Sequence, residues 1–186
     1  MVTIKKEYKI AITGSHSTGK TTLARALSQV LEIPYTNRDK AISIAHKIAP
    51  GKTMEQLSAK EHWKIQLEIL KGYEKMLNET RCFVSDASVF TWEAYTKLFV
   101  KDDNLKKISQ YIQCKDVLTE LKKKYTHVFY LPPEIPLEFD GFRPQSNVSR
   151  LDIDKLILKE LSGTQYFTLT GSVADRIKMA QDILRK

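Results

Sequence analysis

Gly14-Ser15-His16-Ser17-Thr18-Gly19-Lys20-Thr21 is the stretch that decides the fold, because it fits the phosphate-loop pattern G-x-x-x-x-G-K-[ST]. Upstream of it, alternating apolar side chains at Tyr8, Ile10 and Ile12 predict a strand. Downstream, apolar residues recur at helical spacing, namely Leu23, Ala24, Ala26, Leu27, Val30 and Leu31. A phosphate loop between a strand and a helix predicts a site for a nucleoside triphosphate.

The residue types of this loop indicate its chemistry. Gly14 and Gly19 let the backbone turn tightly and aim its N–H groups inward, and the following helix N-terminus adds partial positive charge. Lys20 can reach the β- and γ-phosphates, and Thr21 can ligate Mg²⁺. The other predicted nucleotide contacts in the loop are Ser15, Ser17, Thr18 and Thr22. ATP with Mg²⁺ is the cofactor that this pattern predicts.

The composition is that of an ordinary globular protein. With 186 residues, 42% of them hydrophobic and 28% charged, the chain suits one domain over residues 1–186. Apolar runs too short for a membrane span and the lack of an apolar signal segment predict a soluble, cytoplasmic protein. Its two cysteines, Cys82 and Cys114, fit a reducing compartment. Neither metal-ligand spacing among His and Cys nor a G-x-S-x-G motif occurs, which argues against a zinc site and a catalytic triad.

The net charge of +8 fits either nucleic acid or a site for polyphosphates. The lysines of one predicted helical region alternate with an apolar stripe, and they are Lys106, Lys107, Lys115, Lys122, Lys123 and Lys124. Such a pattern is first that of a solvated helix face, so nucleic-acid contact is the weaker alternative. We therefore expect small-molecule partners, with a homodimer as a possible assembly.

Strands that alternate with helices predict an α/β fold of three layers, with a parallel sheet between helices. The five predicted strands cover residues 7–13, 33–36, 81–86, 125–131 and 165–169. A helical insertion at about 37–80, with a capping box of Thr53 and Gln56, is long enough to wall a second pocket. Further helices are expected at about 87–100, 103–123 and 151–161, and a last one after Ser172, which Asp175 would help to cap.

Polar residues follow three of these strands, and in parallel sheets ligands collect beyond the carboxyl ends of the strands. Asp86 is placed to hold Mg²⁺ or to act in catalysis, although aspartate also favours a helix N-cap. Arg143 and Arg150 flank a turn-rich segment that predicts a lid at about 139–152, where guanidinium groups would neutralise a transferring phosphoryl group. Surface arginines that solvate a loop are the alternative. Gly171 and Ser172 either line the adenine end of an ATP site or only begin a helix.

With these residues in place, the chain resembles the small P-loop nucleoside and nucleotide kinases, especially the compact ribosylnicotinamide-kinase-like, AAA-type group and the deoxynucleotide kinases. The stretches that carry the resemblance are Gly14 to Thr22, Asp86-Ala87-Ser88 with Tyr95, Asp140 to Gln145 with Arg150, and Leu169 to Ser172. It implies a P-loop NTPase fold with a five-stranded parallel sheet of order 2-3-1-4-5.

The chain also departs from that family. Ala87 stands where an arginine is usual, and Thr91 where a second acid is common. By the same resemblance, Gln66 matches a glutamine that hydrogen-bonds the acceptor base, unless it lies on an exposed helix face. Arg38 could bind an acceptor phosphate in place of the missing arginine, or be an ordinary loop charge.

These residues favour ATP-dependent phosphoryl transfer to a nucleoside monophosphate, with a deoxynucleotide as the expected acceptor. A phosphate oxygen is already anionic and needs no general base, and Arg38 and the positive net charge suit such an acceptor. The alternative is a nucleoside or ribosylnicotinamide kinase, in which Asp86, or less well Asp39, would be the base. A nucleotide-switched ATPase or binding module, with its acceptor site lost, is the third hypothesis.

Overall fold

The computed structural model describes residues 7–36, 40–100, 109–138 and 147–186. Its sheet consists of β1 (Lys9–Thr13), β2 (Tyr35–Thr36), β3 (Phe83–Ser85), β4 (His127–Tyr130) and β5 (Phe167–Thr168). The strands pair in the order β2-β3-β1-β4-β5, and every pairing is parallel. This confirms the predicted α/β class and strand order, while each strand is shorter than its predicted span.

Helices fill the connections between the strands. They are α1 (Lys20–Leu31), α2 (Lys40–Ile48), α3 (Ala59–Glu79), α4 (Val89–Val100), α5 (Ser109–Lys123), α6 (Asn147–Leu161) and α7 (Val173–Leu184). A single 3₁₀ turn, Met54–Gln56, lies between α2 and α3. The phosphate loop therefore joins β1 to α1, and Asp86 follows β3, as the sequence predicts.

The two faces of the sheet pack against different helices. Ile10 and Ile12 of β1 belong to a buried cluster with Leu23 and Leu27 of α1 and with side chains of α7. Ala11 points to the other face, where the cluster contains side chains from α2 to α6. The alternation along β1 thus buries both faces, as expected for a parallel sheet.

The predicted capping box of Thr53 and Gln56 is present, whereas one predicted helix start is wrong. The Thr53–Gln56 box caps only the 3₁₀ turn, while α3 begins after Ser58, whose backbone N–H donates to Glu61 Oε2 at 2.8 Å. The predicted helix at 151–161 begins at Asn147. Arg150 and the end of the predicted lid are therefore helical. The predicted box of Ser172 and Asp175 does cap α7, with the Ser172 N–H donating to Asp175 Oδ2 at 3.0 Å.

Candidate active site

The phosphate loop is held tightly against the end of β4. Gly14 has a φ of 146°, and a side-chain carbon there would collide with the carbonyl oxygen of Leu131. Gly19 (φ 81°) and Ser17 (φ 54°) also adopt positive φ, which directs successive backbone N–H groups into a concave turn. Only glycine fits position 14, so the motif's first residue is required by packing as well as by conformation.

Lys20 is the first residue of α1, and its side chain folds back onto the phosphate loop. Its ammonium donates to the carbonyl oxygen of Ser15 and, at 3.4 Å, to Thr18 Oγ1. The side chain is 7% exposed, and the buried Ser15 hydroxyl has no hydrogen-bond partner in the described residues. A buried cation and an unused hydroxyl in a turn of N–H donors form a site for a polyphosphate.

Thr21 and Asp86 meet at the end of β3. Thr21 Oγ1 donates to Asp86 Oδ2 at 2.7 Å, and Tyr35 donates its phenolic proton to the same oxygen at 2.9 Å. Asp86 is 4% exposed, and within the described part of the chain its other oxygen, Oδ1, is buried without a partner. A hydroxyl beside a carboxylate with an unused oxygen fits Mg²⁺, which prefers oxygen ligands and takes one or two carboxylates plus substrate phosphates.

Tyr35 was missed by sequence reasoning. It begins β2, and burial, together with the Asp86 carboxylate, raises the pKa of its phenol to about 12. The Arg25 guanidinium lies 5.6 Å from the centroid of the Tyr35 ring. Tyr35 therefore stays protonated at neutral pH, and its hydroxyl donates the hydrogen bond that holds the Asp86 carboxylate in place.

Three hydroxyls tie β1 to the turn after Asp86. Thr13 Oγ1 lies 2.9 Å from Thr91 Oγ1 and accepts from Ser88 at 3.2 Å. Thr91 is fully buried in this cluster, which gives a physical reason for its place where the family often has an acid: a carboxylate would be desolvated there. Ala87, at the position of the missing arginine, is also buried.

Aromatic side chains extend from the phosphate loop along α4 to α3. His16 Nδ1 lies 3.3 Å from the Tyr95 hydroxyl, Tyr95 stacks on Phe99, and Phe99 stacks on His62 with ring centroids 5.0 Å apart. Gln66, one turn after His62, is 4% exposed. Its backbone carbonyl oxygen accepts a hydrogen bond from Trp92 Nε1 at 2.6 Å. Gln66 is thus buried between α3 and α4 rather than on an exposed face, and its contact with a base stays a prediction.

A cavity of about 530 Å³ opens beside the carboxyl ends of β2 and β3. Its lining includes Tyr35, Ser85 and Ala87 at the sheet and Glu68, Ile69, Gly72, Tyr73, Lys75, Met76 and Glu79 of α3. The helical insertion therefore walls a pocket next to Asp86, as its length predicted. Gln66 is not among the residues that line it.

Arg150 reaches the phosphate loop from the first turn of α6. It is 4% exposed, and its Nη2 donates to the carbonyl oxygen of Ser17 at 2.9 Å. Burial lowers the pKa of this guanidinium, against the attraction of Asp154, which accepts from the Tyr130 hydroxyl at 2.6 Å. Arg150 therefore places a cation at the phosphate loop, and its role in phosphoryl transfer stays a prediction.

A second arginine at the loop has no counterpart in the sequence analysis. Arg176, on α7, is 1% exposed, and its Nη1 donates to the carbonyl oxygen of Thr18 at 2.8 Å. Its Nη2 donates to Glu134 Oε2 at 3.0 Å, and the same oxygen accepts from the Gly171 N–H at 3.2 Å. No sequence motif signalled these contacts, because Thr18 and Glu134 lie in two separate loops that are distant from Arg176 in the sequence.

The remaining predicted site residues are exposed or lie outside the described residues. Arg38 and Arg143 lie outside the described residues. Thr22 is exposed on the first turn of α1, and Ser172 is exposed as the N-cap of α7. In the described residues no cluster of three or more His, Cys, Asp or Glu side chains forms a metal site, and no helix has the length and apolarity to span a membrane.

Comparisons with known proteins agree with this geometry. Residues 9–176 match the sequence profile of a family described as an AAA domain. No protein of curated function matches the sequence.

Solved structures share the fold. A NadR protein in complex with NAD and AMP-PNP has a TM-score of 0.67 and 14% identity over 96% of this chain and 49% of its own. Deoxyadenosine kinase from M. mycoides, with dCMP and dCDP, has a TM-score of 0.66 and 15% identity over 95% of this chain and 97% of its own. YorR from Bacillus subtilis, with phosphorylated GDP, has a TM-score of 0.52 and 15% identity over 95% and 93%. The chain spans about half the length of NadR. Together these likenesses show a fold of the P-loop nucleoside and nucleotide kinase type.

Proposed function

This chain belongs to the AAA domain family, and from that premise we propose that it is an ATP-dependent kinase acting on a nucleotide or nucleoside. The observation that carries the proposal is the contact of Thr21 with Asp86 beside the buried Lys20. These three side chains are the parts that phosphoryl transfer requires, namely a hydroxyl and a carboxylate for the metal and a cation for the phosphates.

Residues 1–186 would form one kinase domain, with the lid at about 139–152 and the acceptor-site insertion at about 37–80. Bound Mg²⁺ would be held by Thr21 and Asp86 and would neutralise charge on the phosphates. Lys20 would bind the β- and γ-phosphates, and Arg150 and Arg143 would stabilise the charge that builds up during transfer. Tyr35 would keep the Asp86 carboxylate in place.

We propose a nucleoside monophosphate as the acceptor. Asp86 Oδ2 already accepts two hydrogen bonds, and in the described residues no second side-chain carboxylate is hydrogen-bonded to Asp86 or to the phosphate loop. A reaction that needs no general base suits this arrangement, because a phosphate oxygen attacks as an anion. A deoxynucleotide is favoured by the shared fold of the M. mycoides deoxyadenosine kinase, which was solved with dCMP and dCDP.

The cavity between α3 and the ends of β2 and β3 is the proposed acceptor pocket. Its volume of about 530 Å³ suits a nucleotide, and it adjoins the residue pair Ser85 and Ala87 on either side of Asp86. Because Ala87 has no charge, the acceptor phosphate would depend on Arg38, which follows β2 in the sequence. Gln66 does not line this cavity, so the predicted contact of Gln66 with the acceptor base requires a base that extends beyond the cavity towards α4.

A nucleoside acceptor, ribosylnicotinamide included, is the second candidate, and the charges of the cavity favour it. Glu68 and Glu79 line the pocket with Lys75 as the accompanying cation, and carboxylates oppose the entry of a phosphate. The shared folds of a deoxyadenosine kinase and of NadR agree with this alternative. Asp86 would then have to accept the hydroxyl proton through its unused oxygen Oδ1.

The test is ADP release from Mg-ATP with a panel of nucleosides, ribonucleotides, deoxynucleotides and nicotinamide riboside, with each product identified by mass spectrometry. Stimulation by one deoxynucleoside monophosphate is the expected result. Stimulation by unphosphorylated nucleosides alone would replace the first candidate by the second. Slow hydrolysis that no acceptor changes would contradict both and favour a nucleotide-switched ATPase or binding module.

A further inference from the structure

Arg176 is a fully buried cation that joins three loops. It donates to Thr18 O in the phosphate loop and to Glu134 in the segment after β4, and Glu134 in turn accepts from Gly171 in the turn after β5. Burying a guanidinium is costly unless its hydrogen bonds are satisfied. Moving the phosphate loop or the segment with Glu134 would break a hydrogen bond of this buried cation. These hydrogen bonds therefore favour a fixed position of the loops around the Arg176–Glu134 ion pair.

The position of this ion pair relative to Thr21 and Asp86 indicates which part of a bound nucleotide would lie beside it. Thr21 and Asp86 are at β3, so the γ-phosphate end of a bound nucleotide points to that side of the phosphate loop. The base of the same nucleotide must extend in the opposite direction, towards the ends of β4 and β5. Glu134 and Gly171 occupy those ends.

The surroundings of Glu134 suit a flat, largely apolar ring. A cavity of about 510 Å³ is lined by residues 133–137 with Arg150 and Leu151. Ile135 and Leu151 are 36% and 48% exposed, and Ile135 Cδ1 lies next to Gly19 of the phosphate loop. Apolar walls with few charged groups, here Glu134 and Arg150, are typical of a selective small-molecule site.

Glu134 has one carboxylate oxygen, Oε1, that can accept a hydrogen bond from a ligand. Its side chain is 41% exposed, in contrast to 1% for its partner Arg176. Oε2 accepts from both Arg176 and Gly171, whereas Oε1 makes no hydrogen bond within the described part of the chain. An ionised carboxylate only accepts, so a ligand group at Oε1 must be a donor.

On the proposed function, we infer that Glu134 selects a donor nucleotide whose base presents an amino group, as adenine does, and that Arg176 positions this carboxylate. The 6-amino group of adenine would donate to Oε1, whereas the 6-oxo group of hypoxanthine would be repelled. Glu134 is therefore the specificity-determining residue and Arg176 a positioning residue.

Glu134→Gln tests this selection, because the amide group of the new glutamine has only one orientation that fits its neighbours. Arg176 and the Gly171 N–H both donate to Oε2, so the amide oxygen must take that place and the amide NH₂ must face the base. This variant keeps the shape of the side chain but replaces an acceptor by a donor. It should therefore reverse the preference rather than merely weaken binding.

The experiment measures the dissociation constants of Mg-ADP and Mg-IDP by calorimetry, since neither diphosphate is a phosphoryl donor here. The wild type is expected to prefer ADP by roughly tenfold or more, as a hydrogen bond to a charged group implies. Glu134→Gln should lose that preference or favour IDP. Arg176→Lys replaces a guanidinium, which donates to Thr18 O and Glu134 through two separate nitrogens, by a single ammonium, so the ratio should fall towards one. The exposed Glu120→Gln is the matched control and should keep the wild-type ratio.

The outcomes separate the two proposals. A wild type that binds both diphosphates equally, or a Glu134→Gln variant whose two affinities fall in parallel, would overturn the selection by Glu134 and leave the kinase proposal standing. A wild type that binds neither diphosphate would overturn the kinase proposal itself. An unchanged ratio in Arg176→Lys would overturn the positioning role.

Discussion

Lys20 is the residue on which the proposed transfer depends most directly. Its ammonium contacts the loop's own Ser15 and Thr18 and no part of the hydrophobic core, so Lys20→Ala should leave the fold intact. Removing a preorganised charge that stabilises the transition state typically costs a factor of roughly 100 or more in rate. We expect that loss in kcat/KM, with an unchanged thermal unfolding midpoint. The control is Lys155→Ala, whose side chain is 79% exposed; similar turnover in both variants would contradict the assignment.

Thr21 supports a prediction about the metal. Thr21→Ala removes the hydroxyl that contacts Asp86 and leaves the carboxylate without this donor, so the Mg²⁺ concentration for half-maximal activity should rise roughly tenfold or more. Thr21→Ser keeps the hydroxyl and should restore the wild-type value. The measurement is a Mg²⁺ titration of the transfer rate at saturating ATP. Equal Mg²⁺ dependence in the alanine and serine variants would show that the hydroxyl does not serve the metal.

Single site residues were predictable where their chemistry is local in the chain. Lys20 and Thr21 follow from the loop motif, and Asp86 from its place directly after a buried strand. Tyr35 and Arg176 were missed because their contacts, with Asp86 and with Thr18, join positions 51 and 158 residues apart. Only the folded sheet brings such pairs together, and neither a tyrosine at a strand end nor an arginine in an amphipathic helix is a motif.

At the scale of elements, caps were predictable and lengths were less so. Ser172 and Asp175 marked the start of α7 correctly, because a capping box depends on residues three positions apart. The box of Thr53 and Gln56 was real but caps one 3₁₀ turn, since Ser58 offers a second box to the helix that follows. Local patterns identify where a turn can begin, whereas tertiary packing decides how far the helix continues.

Four charged side chains join α4, α5 and α6 and give a prediction at this scale. Lys97 contacts Glu93 at 2.9 Å and Glu160 at 2.6 Å, and Lys122 contacts the same two carboxylates at 2.8 and 3.4 Å. The carboxylates are 10% and 7% exposed, whereas the two lysines are 26% and 22% exposed. Glu160→Gln leaves Glu93 as the single carboxylate partner of two partly buried ammonium groups, so the free energy of unfolding should fall by about 1–3 kcal/mol. Urea unfolding measures it, and Glu120→Gln, in a pair exposed at both ends, should change almost nothing.

The same cluster predicts a pH profile. Burial opposes ionisation of Glu93, but hydrogen bonds from Lys122 and Lys97 outweigh it and lower its pKa, so its contribution is present above the ordinary value of 4.5 and is lost as pH falls through the lower folded value. Burial likewise opposes the charge on Lys97, but Glu160 and Glu93 raise its pKa, so its contribution is lost as pH rises above the ordinary 10.5. The difference in unfolding free energy between wild type and Glu93→Gln should be constant between these values and shrink outside them. A difference independent of pH across the whole range would contradict the cluster's electrostatic role.

For the whole molecule, the alternation of strands and helices was enough to predict a parallel sheet, because parallel neighbours require crossover helices. The strand order 2-3-1-4-5 was implied only by the resemblance to the small P-loop kinases, and the structure confirms it. The net charge of +8 did not identify a partner, since a positive balance suits a polyphosphate site as well as nucleic acid. What the order does establish is that β3 and β4 flank β1, so the acceptor cavity and the proposed base site lie on opposite sides of the phosphate loop.

That arrangement predicts that one linear molecule can fill both sites. Adenosine joined through five phosphates to a deoxynucleoside should stabilise the protein more than adenosine pentaphosphate, because only the former places a second nucleoside in the cavity beside Ala87. At a concentration 100 times its Kd, a ligand adds about 2.7 kcal/mol, which is a rise of roughly 5–10 °C in Tm for a chain of this size. Thermal melts with Mg²⁺ measure the difference, and Lys20→Ala should reduce both shifts. Equal shifts with the two compounds would mean that the cavity is not in line with the phosphate loop, and would remove it as the acceptor pocket.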